Sequence, residues 1–274
     1  MRISFIRPRP ELQPYIESFW ILESPSGLPE SDRSLVAPNG CAKLIVPCEN
    51  AIVSIADGKR QVSDHRQLYF VGNRESSTLL RTSPQRTTFI TIEFSPHGAF
   101  PVFGVPMSET SNRLCEADAV FGKWSRELRQ RIDDLPAMAQ KVAGIEDQLI
   151  RLLRTHERRN RVVDACVRKI RSADGRIAIA DLQRATGYSW RYLDRLFKEH
   201  VGLSPKVLAG ICRFQKFYRR WATGESFDQF RDELYDHYSD QAHFSREFRK
   251  MTGHSPVRFM REVPNEFGRR LLIK

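Results

Sequence analysis

Apolar residues in the first ~110 positions recur with a period of two. In 87–94, Phe89, Thr91 and Glu93 alternate with Ile90, Ile92 and Phe94, the mark of a strand with two distinct faces. Shorter apolar or alternating runs occupy 33–38, 42–47, 51–56 and 67–72, divided by Pro38-Asn39-Gly40 and Asp57-Gly58. Strands at this spacing predict a sandwich or barrel. A helix is predicted before them, over residues 10–19. Near residue 118 the period turns helical. Helices are predicted over 119–128 and 138–153, the second with Val142, Ile145, Leu149, Leu152 and Leu153 on one stripe. That stripe serves either as a dimer seam or as packing onto the chain's own β-rich part. The charged stretch 154–161 reads as a linker, and everything after it reads as helix.

The helical third contains a repeat. Tyr188-Ser189 leads to Leu-Phe-Lys and on to Gly202-Leu-Ser-Pro; Tyr238-Ser239 leads to Glu-Phe-Arg and on to Gly253-His-Ser-Pro. In the first copy a short helix over 180–186 stops at Gly187, where a left-handed turn favours glycine. Ser189 suits the N-cap of the next helix. Leu193, Leu196 and Phe197 share its inner face and pack toward Leu182, while Arg191, Asp194, Arg195 and Lys198 share the outer face. An apolar back and an arginine-rich front across a tight turn is the helix-turn-helix design, whose second helix enters the major groove. Arginine can bond guanine bidentately there, while Ser and Lys hold phosphates. In the second copy Ser239 or Asp240 caps the helix. Phe244 and Phe248 face inward, and Gln241, His243 and Arg246 face outward. Trp190 is either a surface aromatic or a DNA contact, Asp194 either touches DNA or orients its arginines, and His243 is either structural or a base reader. Ser204-Pro205 starts a long helix to about Trp221 that sets the distance between the two copies.

Charge sharpens this division. From Glu157 onward lie 25 of the 44 basic residues but only 15 of the 33 acidic ones, so that segment carries +10 of the net +11. A polyanion partner is expected for the C-terminal part alone. The five cysteines, Cys41, Cys48, Cys115, Cys166 and Cys212, form no CxxC pair, so neither a disulfide scaffold nor a zinc finger is expected. No apolar run approaches a membrane span and the N-terminus has no signal-peptide core; the expected location is the cytoplasm, with no membrane partner.

The segments Gly187-Tyr-Ser-x-Arg-Tyr-Leu-x-Arg-Leu-Phe, Val201-Gly-Leu-Ser-Pro-Lys, Arg213-Phe-Gln and Ser239-Asp-Gln-Ala-His-Phe-Ser-Arg-Glu-Phe resemble the AraC/XylS family of transcription regulators over residues 158–262. Tyr15-Ile-Glu-Ser-Phe-Trp, Ala37-Pro-Asn-Gly-Cys-Ala-Lys-Leu-Ile and Phe103-Gly-Val-Pro are similar to the cupin-like N-terminal domains of one branch. The chain departs from the pattern at Gln183, where the family has a small residue. It departs again at Asp236-His237-Tyr238, which lacks the turn glycine and ends a stretch, Phe227 to Tyr238, that is about two residues longer than the family's.

The expected fold is α+β: a cupin-like β-rich barrel with flanking helices for sensing and dimerisation in 1–157, then an all-α domain of two helix-turn-helix units joined by a long helix in 158–274. The resemblance implies sequence-specific regulation of transcription, with double-stranded DNA, a second copy of the chain, a small-molecule effector and RNA polymerase as partners. The expected DNA-binding residues are Ser189, Trp190, Arg191, Asp194, Arg195, Lys198, Asp240, Gln241, His243 and Arg246. For the effector, Trp20, Phe70, Phe89 and Phe94 are lining candidates, with Arg81, Arg86 and Glu93 for charge at a mouth; the alternative is that these aromatics fill the core. No cofactor or metal is expected, because His65 and His97 stand far apart and no His-x-His pair exists. No Gly-x-Ser-x-Gly, P-loop or Rossmann fingerprint marks an enzyme. The rival readings are an effector-independent DNA binder whose front domain only dimerises, and a cupin-type enzyme fused to a DNA-binding domain.

Overall fold

The period-two runs become ten strands in the computed structural model, which describes residues 1–155, 159–225, 238 and 240–272. They are β1 (Arg2–Ile6), β2 (Ile16–Ser24), β3 (Leu35–Val36), β4 (Lys43–Glu49), β5 (Ile52–Ala56), β6 (Lys59–Ser63), β7 (Tyr69–Val71), β8 (Thr78–Thr82), β9 (Thr87–Phe94) and β10 (Leu114–Glu116). One sheet has the order β1-β2-β9-β4-β7-β10 and the other β3-β8-β5-β6, with antiparallel pairing throughout. The sheets face each other but share no ladder among the described residues, so the expected barrel is corrected to an unclosed pair of sheets. Asp57 and Gly58, both at positive φ, make the tight turn from β5 to β6 that matches strand twist.

Parity along β9 explains the layers. Ile90, Ile92 and Phe94 join Phe19, Ile21, Leu44, Val46 and Phe70 in a core roofed by helices. Phe89 points the other way and meets Trp20, Leu22, Ile52 and Leu80 between the sheets. Every residue of β9 is therefore buried, and each large apolar side chain so covered contributes ~1.5–3 kcal/mol. Residues 10–19 do not form the predicted helix: β2 begins at Ile16. Its odd and even positions are both needed, because the strand lies between β1 and β9 with two covered faces. Pro14 also lacks the N–H that a helix interior uses.

The roofing helices are α1 (Ala99–Phe103), α2 (Ala117–Phe121), α3 (Lys123–Asp133) and α4 (Met138–Thr155). Gly122, at φ 59°, splits the single helix predicted over 119–128 into α2 and α3. The α4 stripe of Val142, Ile145 and Leu149 is spent on this core, which decides against its use as a dimer seam.

The second half holds α5 (Arg161–Ser172), α6 (Ile179–Thr186), α7 (Trp190–His200), α8 (Pro205–Ala222), α9 (Gln241–Thr252), α10 (Pro256–Glu262) and α11 (Glu266–Arg270). Asn160, inside the predicted linker, caps α5 by accepting from the Val162 and Val163 amides. Leu182, Leu193, Phe197, Phe214, Phe217, Phe244 and Phe248 share one core. The expectation about a glycine-less second turn concerns residues 227–238, of which only Tyr238 lies within the described residues. It is buried in that core.

The two halves are tightly joined. Leu35 and Ala37 of the β-rich half belong to the helical core, and Phe267 of α11 belongs to the cluster between the sheets. Asn265 exchanges two hydrogen bonds with the Leu35 backbone, at 2.7 and 3.0 Å, in the manner of an added strand residue. None of the five cysteines is disulfide-bonded.

Candidate nucleic-acid interface and ligand cavity

The first recognition helix starts as its sequence requires. Gly187 adopts φ 74°, and Ser189 Oγ accepts from the Tyr192 amide at 3.4 Å. On α7, Arg191, Arg195 and Lys198 are exposed, with Trp190 and Asp194 half-buried beside them. Lys198 Nζ pairs with Asp194 at 2.8 Å, so Asp194 holds a lysine. Tyr188 stacks on Tyr192 with ring centres 4.5 Å apart, and the Arg195 guanidinium lies 5.3 Å from the Tyr192 ring centre. That ladder restricts the rotamers of Arg195.

On α9, Asp240 accepts from the His243 amide at 2.6 Å; Ser239, its rival for the cap, lies outside the described residues. Gln241 and Arg246 are exposed. The His243 ring turns toward the protein, 3.6 Å from Glu247 and edge-on to Tyr238. Glu247 in turn accepts from Arg213 of α8 at 3.2 Å. Ring contacts of Phe214 with Phe248 and of Phe217 with Phe244 lock α9 to α8.

The far ends of both recognition helices rest on the loop between β7 and β8. Asn73 Nδ2 donates to the Val201 carbonyl at 2.6 Å, and the Ser77 amide donates to the Met251 carbonyl at 2.9 Å. Lys250 pairs with Glu75 at 2.8 Å. Ser111 Oγ donates to the Gly202 carbonyl at 2.6 Å. Gly202, at φ 78°, approaches the Met107 carbonyl so closely that a Cβ would lie 2.9 Å from its oxygen.

The same loop walls a cavity of about 70 Å3 between the sheets. Trp20, Ile45, Ile52, Leu80 and Phe89 supply its apolar surface. Arg74 and Thr91 also line it, and Arg74 Nε and Thr91 Oγ1 are buried without hydrogen-bond partners among the described residues.

Residues 182–262 match the family profile of a helix-turn-helix domain, over the two capped helices just described. Residues 182–262 are an AraC-type helix-turn-helix domain. The chain is accordingly a DNA-binding transcription regulator. Residues 4–116 match a family described as a domain of unknown function (DUF6597). No curated protein matches the chain. Among solved structures it is similar to ToxT from Vibrio cholerae, at 10% identity over 88% of this chain and 97% of that one, with a TM-score of 0.48. It is also similar to the AraC-like transcriptional activator CuxR, at 14% identity over 78% and 80%, with a TM-score of 0.31. For the Clostridium difficile EutQ protein the values are 14% identity over 34% and 65%, with a TM-score of 0.26.

Ahead of the AraC-type domain, the residues expected to line one ligand cavity separate. Trp20 and Phe89 do line it. Phe70 and Phe94 are corrected to the helix-covered core, because Phe94 has the opposite parity to Phe89 on β9. Arg81 is corrected as well: it donates to the Arg33 and Leu80 carbonyls, one position out of phase with the inward Leu80. Glu93 shares the parity of Phe89 but lies past the cavity, facing α8 of the AraC-type half. Arg86 pairs with Glu49 at 2.9 Å. Lys43, Arg74 and Thr91 were missed; the parity shared by Lys43 with Ile45, and by Thr91 with Phe89, was the available signal. His65 is beside Asp64 and His97 beside Asp164. No group of three His, Cys, Asp or Glu is placed for a metal ion among the described residues. None of the described helices is long and apolar enough to cross a membrane.

Proposed function

We propose that residues 158–274 read a specific DNA sequence through α7 and α9, and that residues 1–157 make the reading responsive to a small molecule held between the sheets. One observation carries this. The segment that walls the cavity also holds the C-terminal ends of both recognition helices, through Asn73 and Ser77. A ligand that moves this segment changes the spacing of the two helices, and with it the fit to successive major-groove segments about one helical turn apart. Arg191, Arg195, Gln241 and Arg246 are the base-reading set; Ser189, Trp190 and Lys198 contact the backbone beside them. Asp194, Asp240 and His243 orient these groups. The cavity suits a small, mostly apolar molecule with one hydrogen-bonding group, which meets Thr91 and Arg74. The front domain acts without catalysis or a metal.

Selection from random duplexes followed by gel shifts tests the reading. A single enriched sequence is expected, and recovery of no preferred sequence sinks it. We also propose a homodimer joined through residues before 160, on a surface other than the α4 stripe, since paired sites gain avidity. Light scattering of the full chain at micromolar concentration is the check, and a strict monomer refutes it.

A further inference from the structure

The seam between the two halves contains a cleft of about 220 Å3 that neither the recognition helices nor the sandwich cavity uses. Its β-side wall carries the carboxylates of Glu17, on β2, and Glu93, on β9. The opposite wall carries Arg171 from α5 and Lys216 and Arg219 from α8. Arg171 reaches across the seam to Glu17. Asp174, 3.7 Å from Lys216, completes the lining. Acids and bases balance, so the cleft is neutral overall but polarised from wall to wall. The Cys41 and Cys212 thiols add no charge, since burial pushes both up, Cys212 to about 11.

Gln215 also lines the cleft and is only 5% exposed. Its Nε2 donates to the Pro38 carbonyl at 2.6 Å. That bond fixes the amide, because the reversed orientation would set two oxygens together. Its Oε1 is left without a hydrogen-bond partner among the described residues. A buried acceptor in that state is unfavourable until a donor reaches it.

We propose that this cleft is a second small-molecule site, separate from the sandwich cavity, and that it takes a zwitterion of the free α-amino acid class. The ammonium donates to Gln215 Oε1 and faces Glu93. The carboxylate faces Arg219 and Lys216 on the other wall. A ligand with net charge would leave an unmatched charge in a balanced, partly buried set. An uncharged polyol would answer neither wall with an opposite charge. Because both halves contribute to the site, an occupant favours their docked arrangement.

Isothermal titration of the full chain without DNA tests the proposal. The probes are the common α-amino acids one at a time, the matching amines that lack the carboxylate, the N-acetyl derivatives that lack the ammonium, and glycerol. Saturable one-site binding of at least one amino acid is expected, with its stripped analogues and glycerol weaker by about tenfold or more. Arg219→Ala and Glu93→Gln should each weaken binding by about tenfold or more. Melting curves report which variants keep the fold, and the exposed Arg219 keeps the test open if Glu93→Gln does not fold. No saturable amino acid binding overturns the proposal. So does equal binding of the analogues or of glycerol, or full affinity in a folded Arg219→Ala. The assay contains no DNA, so its failure is separate from any failure of the DNA-reading proposal.

Discussion

The Asn73 side-chain amide donates a 2.6 Å hydrogen bond to the Val201 carbonyl, tying the wall of the sandwich cavity to the residue that ends the first recognition helix. Four residues on, the Ser77 amide holds the Met251 carbonyl of the second recognition helix. One loop therefore grips the ends of both α7 and α9, the two helices proposed to read DNA.

Removing that grip should be costly. Asn73→Ala strands the Val201 carbonyl, which has lost its solvent, and should destabilise the protein by ~1–3 kcal/mol. Urea unfolding of the full chain measures this. The same variant should bind the selected DNA more weakly in gel shifts although Asn73 lies outside the DNA-reading set; wild-type affinity would argue against the clamp.

Arg195→Ala and Arg246→Ala should each cost ~1–3 kcal/mol on the selected sequence and relax preference at separate positions within it. Lys198→Ala should instead weaken binding to all duplexes alike and shallow the salt dependence. Gel shifts on single-base variants of the site distinguish these patterns.

Phe267→Ala should cost ~3–5 kcal/mol. Its ring is fully buried between the sheets and lies 6.4 Å from Trp20, so truncation empties space in the front half and loosens the tail of the rear half together. A melting temperature equal to that of wild type would contradict this placement.

Acid should weaken the fold through His200. It packs tilted against Phe100 with ring centres 4.0 Å apart, and burial pulls its pKa below the usual histidine value. A folded-state value below the unfolded one means that the unfolded chain takes up the proton first, so this contribution is lost as pH falls through the unfolded value near ~6.5. His97 and His254 are shifted in the same direction by desolvation. Urea midpoints between roughly pH 7.5 and 5.5, about one unit either side of the unfolded histidine value, should fall less steeply for His200→Gln than for wild type, and parallel slopes would remove His200 from the account.

Local chemistry made much of this protein legible in its sequence. The α7 start needed only Gly187 and Ser189, whose turn and cap bonds lie within a few residues. The strand over 87–94 needed only its own alternation. Inner faces such as Leu193 with Phe197 and Phe244 with Phe248 followed from helical spacing. Tertiary structure decided what depends on distant partners. Whether 10–19 was helix or strand rested on β1 and β9 on either side of β2. Whether α4 faced a second copy or its own core rested on where the helices roofed the sheet. The cavity was only half visible, because parity tells which residues share a face but not which face meets the second sheet. The hold of Asn73 on Val201 was out of reach altogether: it joins residues 128 positions apart, and no local period records which loop the docked halves bring against which helix end.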